Sequence, residues 1–450
     1  MNTLTTSDLL FAPVNGKKVS VRFDDPQVSS DGGALFLREV DGQIGLSERL
    51  ATAIADGRRQ SHVDHSLIDL LRQRAYQISC GYEDANDCDA LREDPALKAA
   101  VGRDPAEDGS LGSQPTMTRL ENAVTVRDLL RMGYAFVDQF IASYEEPPQM
   151  IVLDMDPTAD TVHGQQQLAL FNAYEDEYCF MPFHVYEGQS GKLIASVLRA
   201  GKTPTAKDIL SVLKRIVRRV RAAWPEVEIV FRADSHHTKP EVMRWLEVHG
   251  IEFITGLGPN RRLDTLFAQT IRAAEKKYRE QPQMGRPVRV YASGFYAAVS
   301  WDKPRRVICR VQVSAQGTDT RYVVTSFQVT GAKYLYDDVY CGRGKMELMI
   351  KDHKTALKSD RTSCHRKEAN QFRLFIHSAA YVLMHALRAN LLKGSKLAHA
   401  QFDTIRLRLL KIGARLEAGR TLLRFHFPAA CPAKQILMRA ASILAVLNTT

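Results

Sequence analysis

The sequence predicts an α/β fold: a mixed sheet with helical cover, interrupted by a β-rich insertion and flanked by an N-terminal helical region and basic C-terminal helices. Three observations carry this. Residues 1–146 place apolar side chains at helical spacing. After Pro147-Pro148, short apolar runs alternate with amphipathic helices. Between Pro259 and Asp338 the pattern becomes a succession of strand-like runs, and Tyr336 onward returns to helix. The expected organisation is therefore 1–146 helical, 147–258 the first part of a core, 259–338 an insertion, 339–387 the second part, and 388–450 a basic helical region.

In the N-terminal region, Ser66 to Ile78 has the apolar periodicity of a helix, and a second helix is expected from Ala85 to Val101. Ser113 reads as an N-cap with Pro115 in the first turn, and Thr125 with Asp128 reads as another cap. Short helices at this spacing suit a DNA-reading unit, which makes Ser113, Gln114, Thr116 and Arg119 candidate DNA contacts. In the core, Met150–Leu153, Tyr178–Tyr186, Lys192–Leu198, Val227–Phe231 and Phe253–Gly256 read as strands. Thr205 caps an amphipathic helix whose apolar stripe runs from Ile209 to Val220, with Lys214, Arg215, Arg218, Arg219 and Arg221 on its other faces. In the insertion, a charged helix (Ile271–Glu280) precedes strand runs at Val288–Tyr291, Tyr296–Ser300, Arg305–Val313 and Arg321–Val324. Arg366–Leu391 is a long helix.

Composition excludes several classes. The 450 residues are 45% hydrophobic and 25% charged, which is globular rather than disordered. No basic start followed by an apolar run occurs in Met1–Lys18, so no signal peptide is expected. The longest uncharged apolar run, between Arg373 and Arg388, contains His377 and His385 and is too short to span a bilayer. Seven scattered cysteines without a C-x-x-C pair argue against disulfide scaffolds and zinc sites, and for a reducing cytosol. The formal charge of +10 favours a polyanionic partner. Eleven Lys or Arg against two acids, Asp403 and Glu417, place most of it from Arg388 onward, so the expected DNA track is this C-terminal region.

Two acids fall at strand ends: Asp156, with Asp154 two residues before it on the same face, and Asp234. A third acid on a helix would complete an oxygen-ligand set for a hard divalent cation. The sharper pattern is Tyr340-x2-Arg343-x3-Glu347-x6-Lys354. In a regular helix Arg343, Glu347 and Lys354 share one face, where a carboxylate between two cations can hold a metal while its neighbours hold phosphates. His236 and His237, after Asp234, read as plain loop residues.

This pattern resembles the signature of DDE transposases of bacterial insertion sequences, in the branch with a Tyr-Arg-Glu-Lys motif. Ser29-Ser30-Asp31-Gly32-Gly33-Ala34-Leu35, Ser113-Gln114-Pro115-Thr116, Leu153 to Thr158 and Arg232-Ala233-Asp234-Ser235 are similar to blocks of one such subfamily, so the resemblance covers most of the chain. It implies a ribonuclease-H-like core, with Asp156, Asp234 and Glu347 as catalytic and metal-binding triad and two Mg2+ or Mn2+ ions per site. Asp156-Pro157-Thr158 fits the branch's small-residue-then-Thr pattern after the first Asp better than Asp154 does, with proline as a departure. Tyr340, Arg343 and Lys354 would contact phosphates near the scissile bond. The implied reaction is cut-and-paste transposition: strand cleavage at terminal inverted repeats, then strand transfer into target DNA. A homodimer would bridge two ends in the synaptic complex, in a bacterial, nucleoid-associated cytoplasmic setting with no membrane partner. The competing readings are a non-catalytic repressor or architectural protein of the same descent, and a metal-dependent nuclease that cuts without joining.

Overall fold

The centre of the protein is strand β1 (Met150–Pro157), whose Ile151, Val152, Leu153 and Met155 are all buried. The structure, a computed structural model, describes residues 9–280 and 286–447. The expectations for Met1 to Asp8, for 281–285 of the insertion and for the last three residues of the basic region lie outside the described residues. The sheet's other strands are β2 (Phe183–Glu187), β3 (Leu193–Val197), β4 (Glu228–Ala233), β5 (Glu252–Leu257), β6 (Val288–Tyr296), β7 (Arg305–Ser314) and β8 (Gly317–Thr325). Their order is β6-β7-β8-β5-β4-β1-β2-β3. β4 runs parallel to β1 and β5 parallel to β4, while β1, β2 and β3 alternate in direction. The strands of the expected insertion add to this same sheet, because β8 pairs antiparallel with β5 through Ile254↔Thr325 to Leu257↔Tyr322.

Helices sandwich the sheet. The protein's helices include α1 (Ala34–Ile44), α2 (Leu67–Cys80), α3 (Gln114–Ala123), α4 (Val126–Ala142), α5 (Ala206–Ala223), α6 (Pro240–Val248), α7 (Ala268–Glu280), α8 (Gly344–Lys351) and α9 (Lys367–Ala386). Thr205 and Asp208 form a reciprocal capping box that starts α5. Its stripe Ile209, Leu213, Ile216 and Val220 packs with Leu153, Met155, Phe231 and Ala233 on one sheet face. Strand alternation turns Asp154, Asp156 and Arg232 to the opposite face. A second apolar cluster draws on α1 to α4, on α9 and on residues up to Leu444, so N- and C-terminal segments share one core. Among the described residues no helix is long and apolar enough to cross a membrane.

The block Ser29 to Gly33 explains that sharing. Gly32 N and Gly33 N donate to the carbonyls of Ile412 and Leu410 at 2.9 and 3.1 Å. Buried Asp31 accepts from Lys411 Nζ at 2.9 Å and from the Tyr82 hydroxyl at 2.7 Å. The block is a clasp between the chain's two ends.

Several local expectations are corrected. β1 does not stop at Leu153; pairing with β2, Asp156↔His184 and Pro157↔Phe183, carries it through both acids. Tyr178–Tyr186 is two strands, Glu177–Phe180 and β2, separated at Met181-Pro182 because proline has no N–H for a ladder. The helix expected over Ala85–Val101 breaks into Asp87–Leu91 and Pro95–Val101, where the Asp94 carboxylate accepts from Leu97 N at 2.9 Å. The described residues begin with a hairpin, Leu9–Val14 and Lys17–Val21, whose Asn15-Gly16 turn takes φ of 48° and 76°, a hairpin signal present in the sequence. The basic C-terminal region is not all helical: Ala414–Ala418 and Leu423–His426 pair as a hairpin that also joins Val28–Ser29. Nor is its charge all free for DNA. Arg388 pairs with Asp352 at 3.0 Å, Lys411 with Asp31, and Arg406 donates to Ser79 O at 2.9 Å, so these three cations hold the fold.

Candidate active site

Asp154 and Asp156 sit two residues apart on one face of β1 but do different work. Arg232, beside Asp154 in the parallel register, donates Nε and Nη2 to its two carboxylate oxygens, each at 2.6 Å. Both side chains are buried. Arg232 also donates Nη1 to Val339 O at 2.7 Å, which ties the helical turns before Arg343 to the sheet. Gly342 lets those turns pass closely, since a Cβ there would lie 2.7 Å from Arg232 Nη1. An arginine inside the apolar run Ile229–Ala233 was the sequence signal for this buried pair.

Asp156 instead meets Arg343, with Nη2 to Oδ1 at 2.5 Å. Burial pushes its carboxyl up, Arg343 opposes, the nearby Asp234 charge adds to the rise, and the result is about 6. Asp234 follows β4 directly, so two adjacent parallel strands deliver the two acids to one edge. Its Oδ1 accepts from His236 N at 3.0 Å and His237 Nδ1 at 2.7 Å, and its Oδ2 meets His236 Nδ1 at 2.9 Å. Burial raises this carboxyl too, but the His237 hydrogen bond and the fields of both histidines and Arg343 outweigh it and hold it at about 2. The two histidines are therefore not plain loop residues; they orient Asp234. Burial lowers the His237 pKa, and the facing Asp234 carboxylate partly opposes that shift.

The run from Ala332 to Ala356 is helical throughout, with π-type turns at Leu335–Tyr340 and Asp352–Ala356 and a tighter turn at Cys341–Arg343. Its Arg343 and Lys354 both reach the end of β1. Arg343 turns to Asp156, while Lys354 Nζ donates to Ala159 O and lies 3.7 Å from Asp160 Oδ1. Glu347, in the first turn of α8, is exposed and has no hydrogen bond or ion pair among the described residues. Tyr340 is half-buried, with its hydroxyl against Gly256. Ser113 precedes α3 and Gln114, Thr116 and Arg119 lie on it, and α3 packs on α9. Their side chains serve one another: Ser113 Oγ meets Thr116 Oγ1 at 3.2 Å instead of capping a backbone N–H, and Arg119 donates to Thr116 Oγ1 at 3.0 Å.

The family described as "Transposase DDE domain group 1" matches residues 11–449. The chain belongs to that transposase family. No curated protein matches the chain. Among solved structures, it is similar to a piggyBac transposase in a synaptic complex with hairpin DNA, at 13% identity over 92% of this chain and 85% of that one, with a TM-score of 0.41.

For a transposase DDE domain, the donors present suit a hard divalent cation in part. Asp156 and Asp234 are oxygen donors whose crowded charges call for a cation, a demand that the Arg343 guanidinium meets in this arrangement. Glu347 stands outside: among the described residues no three His, Cys, Asp or Glu side chains gather closely enough to hold a metal ion.

Sequence reasoning also missed Asp160. It is fully buried, among the described residues neither carboxylate oxygen has a hydrogen-bond partner, and the cation beside it is Lys354 of the transposase motif, with the Asp360 charge also nearby. Burial, partly opposed by Lys354, raises its pKa to about 8. Between the ordinary carboxyl value of 3.8 and about 8 the unfolded chain has released this proton and the folded chain has not, so Asp160 makes stability fall as pH rises through that window. Asp160→Asn is expected to flatten the decline in melting temperature between those limits. An unchanged slope in thermal melts of the variant would show that Asp160 does not titrate there.

Proposed function

We propose that this transposase-family chain cuts DNA at terminal inverted repeats and transfers the freed strand into target DNA, in cut-and-paste movement of an insertion sequence. The carrying observation is the pair Asp156 and Asp234 at the ends of adjacent parallel strands with Arg343 between their charges. The strand order β3-β2-β1-β4-β5, antiparallel through β1 and parallel beyond it, supports a ribonuclease-H-like core. On this reading Asp156, Asp234 and Glu347 are the catalytic carboxylates and hold Mg2+ or Mn2+, two per site. Those ions supply Lewis-acid charge at the reacting phosphate. Glu347 lies one helical turn after Arg343, whose guanidinium reaches Asp156. His236 and His237 keep the Asp234 oxygens aimed, and Arg232 with Asp154 anchors the turns that carry Tyr340 and Arg343. Tyr340, Arg343 and Lys354 bind phosphates beside the scissile bond, and Ser113, Gln114, Thr116 and Arg119 contact DNA further away. Two copies act together, one for each end of the element.

The test is cleavage of a duplex bearing the repeats that flank the gene, with Mg2+ or Mn2+. Wild type is expected to nick it. Glu347→Gln is expected to lower cleavage at least about 10³-fold while leaving DNA affinity within a few fold. Normal cutting by that variant removes Glu347 from the site. Repeat binding by wild type without nicking favours a non-catalytic DNA-binding protein, and nicking without strand transfer favours a nuclease.

A further inference from the structure

Helix α5 carries more positive charge than any expected site accounts for. Six cations (Lys207, Lys214, Arg215, Arg218, Arg219 and Arg221) face one acid, Asp208, which leaves +5 on 18 residues, half of the chain's formal +10. Four of the six form a row. Lys214, Arg218 and Arg221 follow Lys207 by 7, 11 and 14 residues, each a near-whole number of turns. The row therefore runs straight along the ridge opposite the buried stripe of Ile209, Val212, Leu213, Ile216 and Val220. At 1.5 Å per residue it is roughly 21 Å long.

The neighbours do not neutralise this row. Asp138 is held by both Nε and Nη2 of Arg219, at 2.5 and 2.6 Å, and Asp208 pairs with Arg199 at 3.0 Å. Arg218 donates to the Tyr134 hydroxyl at 2.9 Å and Arg221 to Pro225 O at 3.0 Å, both uncharged acceptors. Among the described residues, Lys207, Lys214, Arg218 and Arg221 have no ion pair, and the first three are exposed. Like charges at this spacing repel along a helix, so the row weakens α5 in isolation. A polyanion along the ridge removes that repulsion. Each DNA strand carries one phosphate per 3.4 Å or so of helix axis, so a ridge of about 21 Å spans an axial length that holds roughly six phosphates of each strand.

We propose that α5 is a docking surface for the phosphodiester backbone of duplex DNA. It lies on the sheet face away from Asp154, Asp156 and Arg232, so the DNA it holds is not the segment placed at those acids. Contacts to phosphates carry no sequence information, so a surface that holds the backbone binds duplexes of any sequence. This rests on the reading of the protein as a DNA transposase and adds where a second stretch of DNA lies.

The experiment compares wild type with the quadruple variant Lys207→Gln, Lys214→Gln, Arg218→Gln and Arg221→Gln. Glutamine keeps helix propensity at these ridge positions, and circular dichroism checks the fold. Binding to a duplex of random sequence is followed by fluorescence anisotropy across a salt series. The variant is expected to bind on the order of 10²-fold more weakly near 0.1 M salt, with a log K against log salt slope shallower by about 3 to 4. In the wild type, bound duplex is expected to protect Lys207 and Lys214 from acetylation, a reading that needs no variant. Manganese-dependent nicking at low salt should survive the substitutions. Equal slopes for wild type and variant, or unprotected lysines, overturn the surface and leave the proposed function standing. Wild type that binds no DNA at any salt overturns both.

Discussion

Asp156→Asn is expected to lower metal-dependent DNA cleavage at least about 10³-fold while changing unfolding free energy by less than about 1 kcal/mol. Asp154→Ala, two residues away on the same strand face, is expected to lower stability by about 3–5 kcal/mol. The contrast follows from their partners. Asp156 is partly exposed, faces Asp234, and has its carboxyl raised to about 6, so its charge is held at a cost. Asparagine keeps its shape and an oxygen for Arg343. Asp154 is fully buried in a two-bonded pair with Arg232, and its removal strands a guanidinium in the core. Loss of that pair also loosens the turn at Val339 that carries Tyr340 and Arg343. Urea denaturation and a cleavage assay on each variant check both halves. If Asp154→Ala unfolds no more easily than Asp156→Asn, the anchoring role of Arg232 is wrong. If Asp156→Asn cuts normally, Asp156 is not the catalytic acid.

Gly33→Ala is expected to cost about 3 kcal/mol or more, and Gly42→Ala, in the helix that Gly33 precedes, to add about 0.5–1 kcal/mol of stability. A Cβ on Gly33 would lie 2.6 Å from Leu410 Cα and closer still to the Leu409 carbonyl oxygen, and neither backbone atom can yield as a side-chain tip can. Gly33 has φ of −73°, a conformation any residue adopts, so the penalty is packing alone. Gly42 has nothing within 4 Å of its would-be Cβ and gains only the helix preference of alanine. Because the clasp joins Gly33 to Leu410, the Gly33 variant should also expose the C-terminal segment to proteolysis. Equal melting temperatures for the two variants would show that the close approach does not exist.

Much of the architecture was legible because it depends on local pattern. The apolar stripe of α5 and its Thr205–Asp208 box announce the helix, and the apolar runs around Ile151, Ile229 and Phe253 announce the central strands. Pairing was not legible. The extension of β1 through Asp156 needs β2 beside it, and the continuation of the sheet through β8 needs β5. The C-terminal hairpin, with Ala414 and Leu416 inward and Arg415 and Glu417 outward, had a period-2 signal too short to outweigh the helical segments around it.

By itself the sequence determined the family, through motif blocks spread from Ser29 to Lys354, and it determined which acids lie at the ends of strands. Side-chain type and spacing along the chain suffice for that. Only the tertiary structure decided what each charged group faces. Asp154 belongs to Arg232 and Asp156 to Arg343, His236 and His237 hold Asp234, and Lys354 lies beside buried Asp160. It also showed that Arg388, Arg406 and Lys411 are occupied within the fold while, among the described residues, the α5 row has no ion pair. The reason is physical: a charge's partner is set by distance and burial, which depend on how strands and helices from remote parts of the chain are stacked.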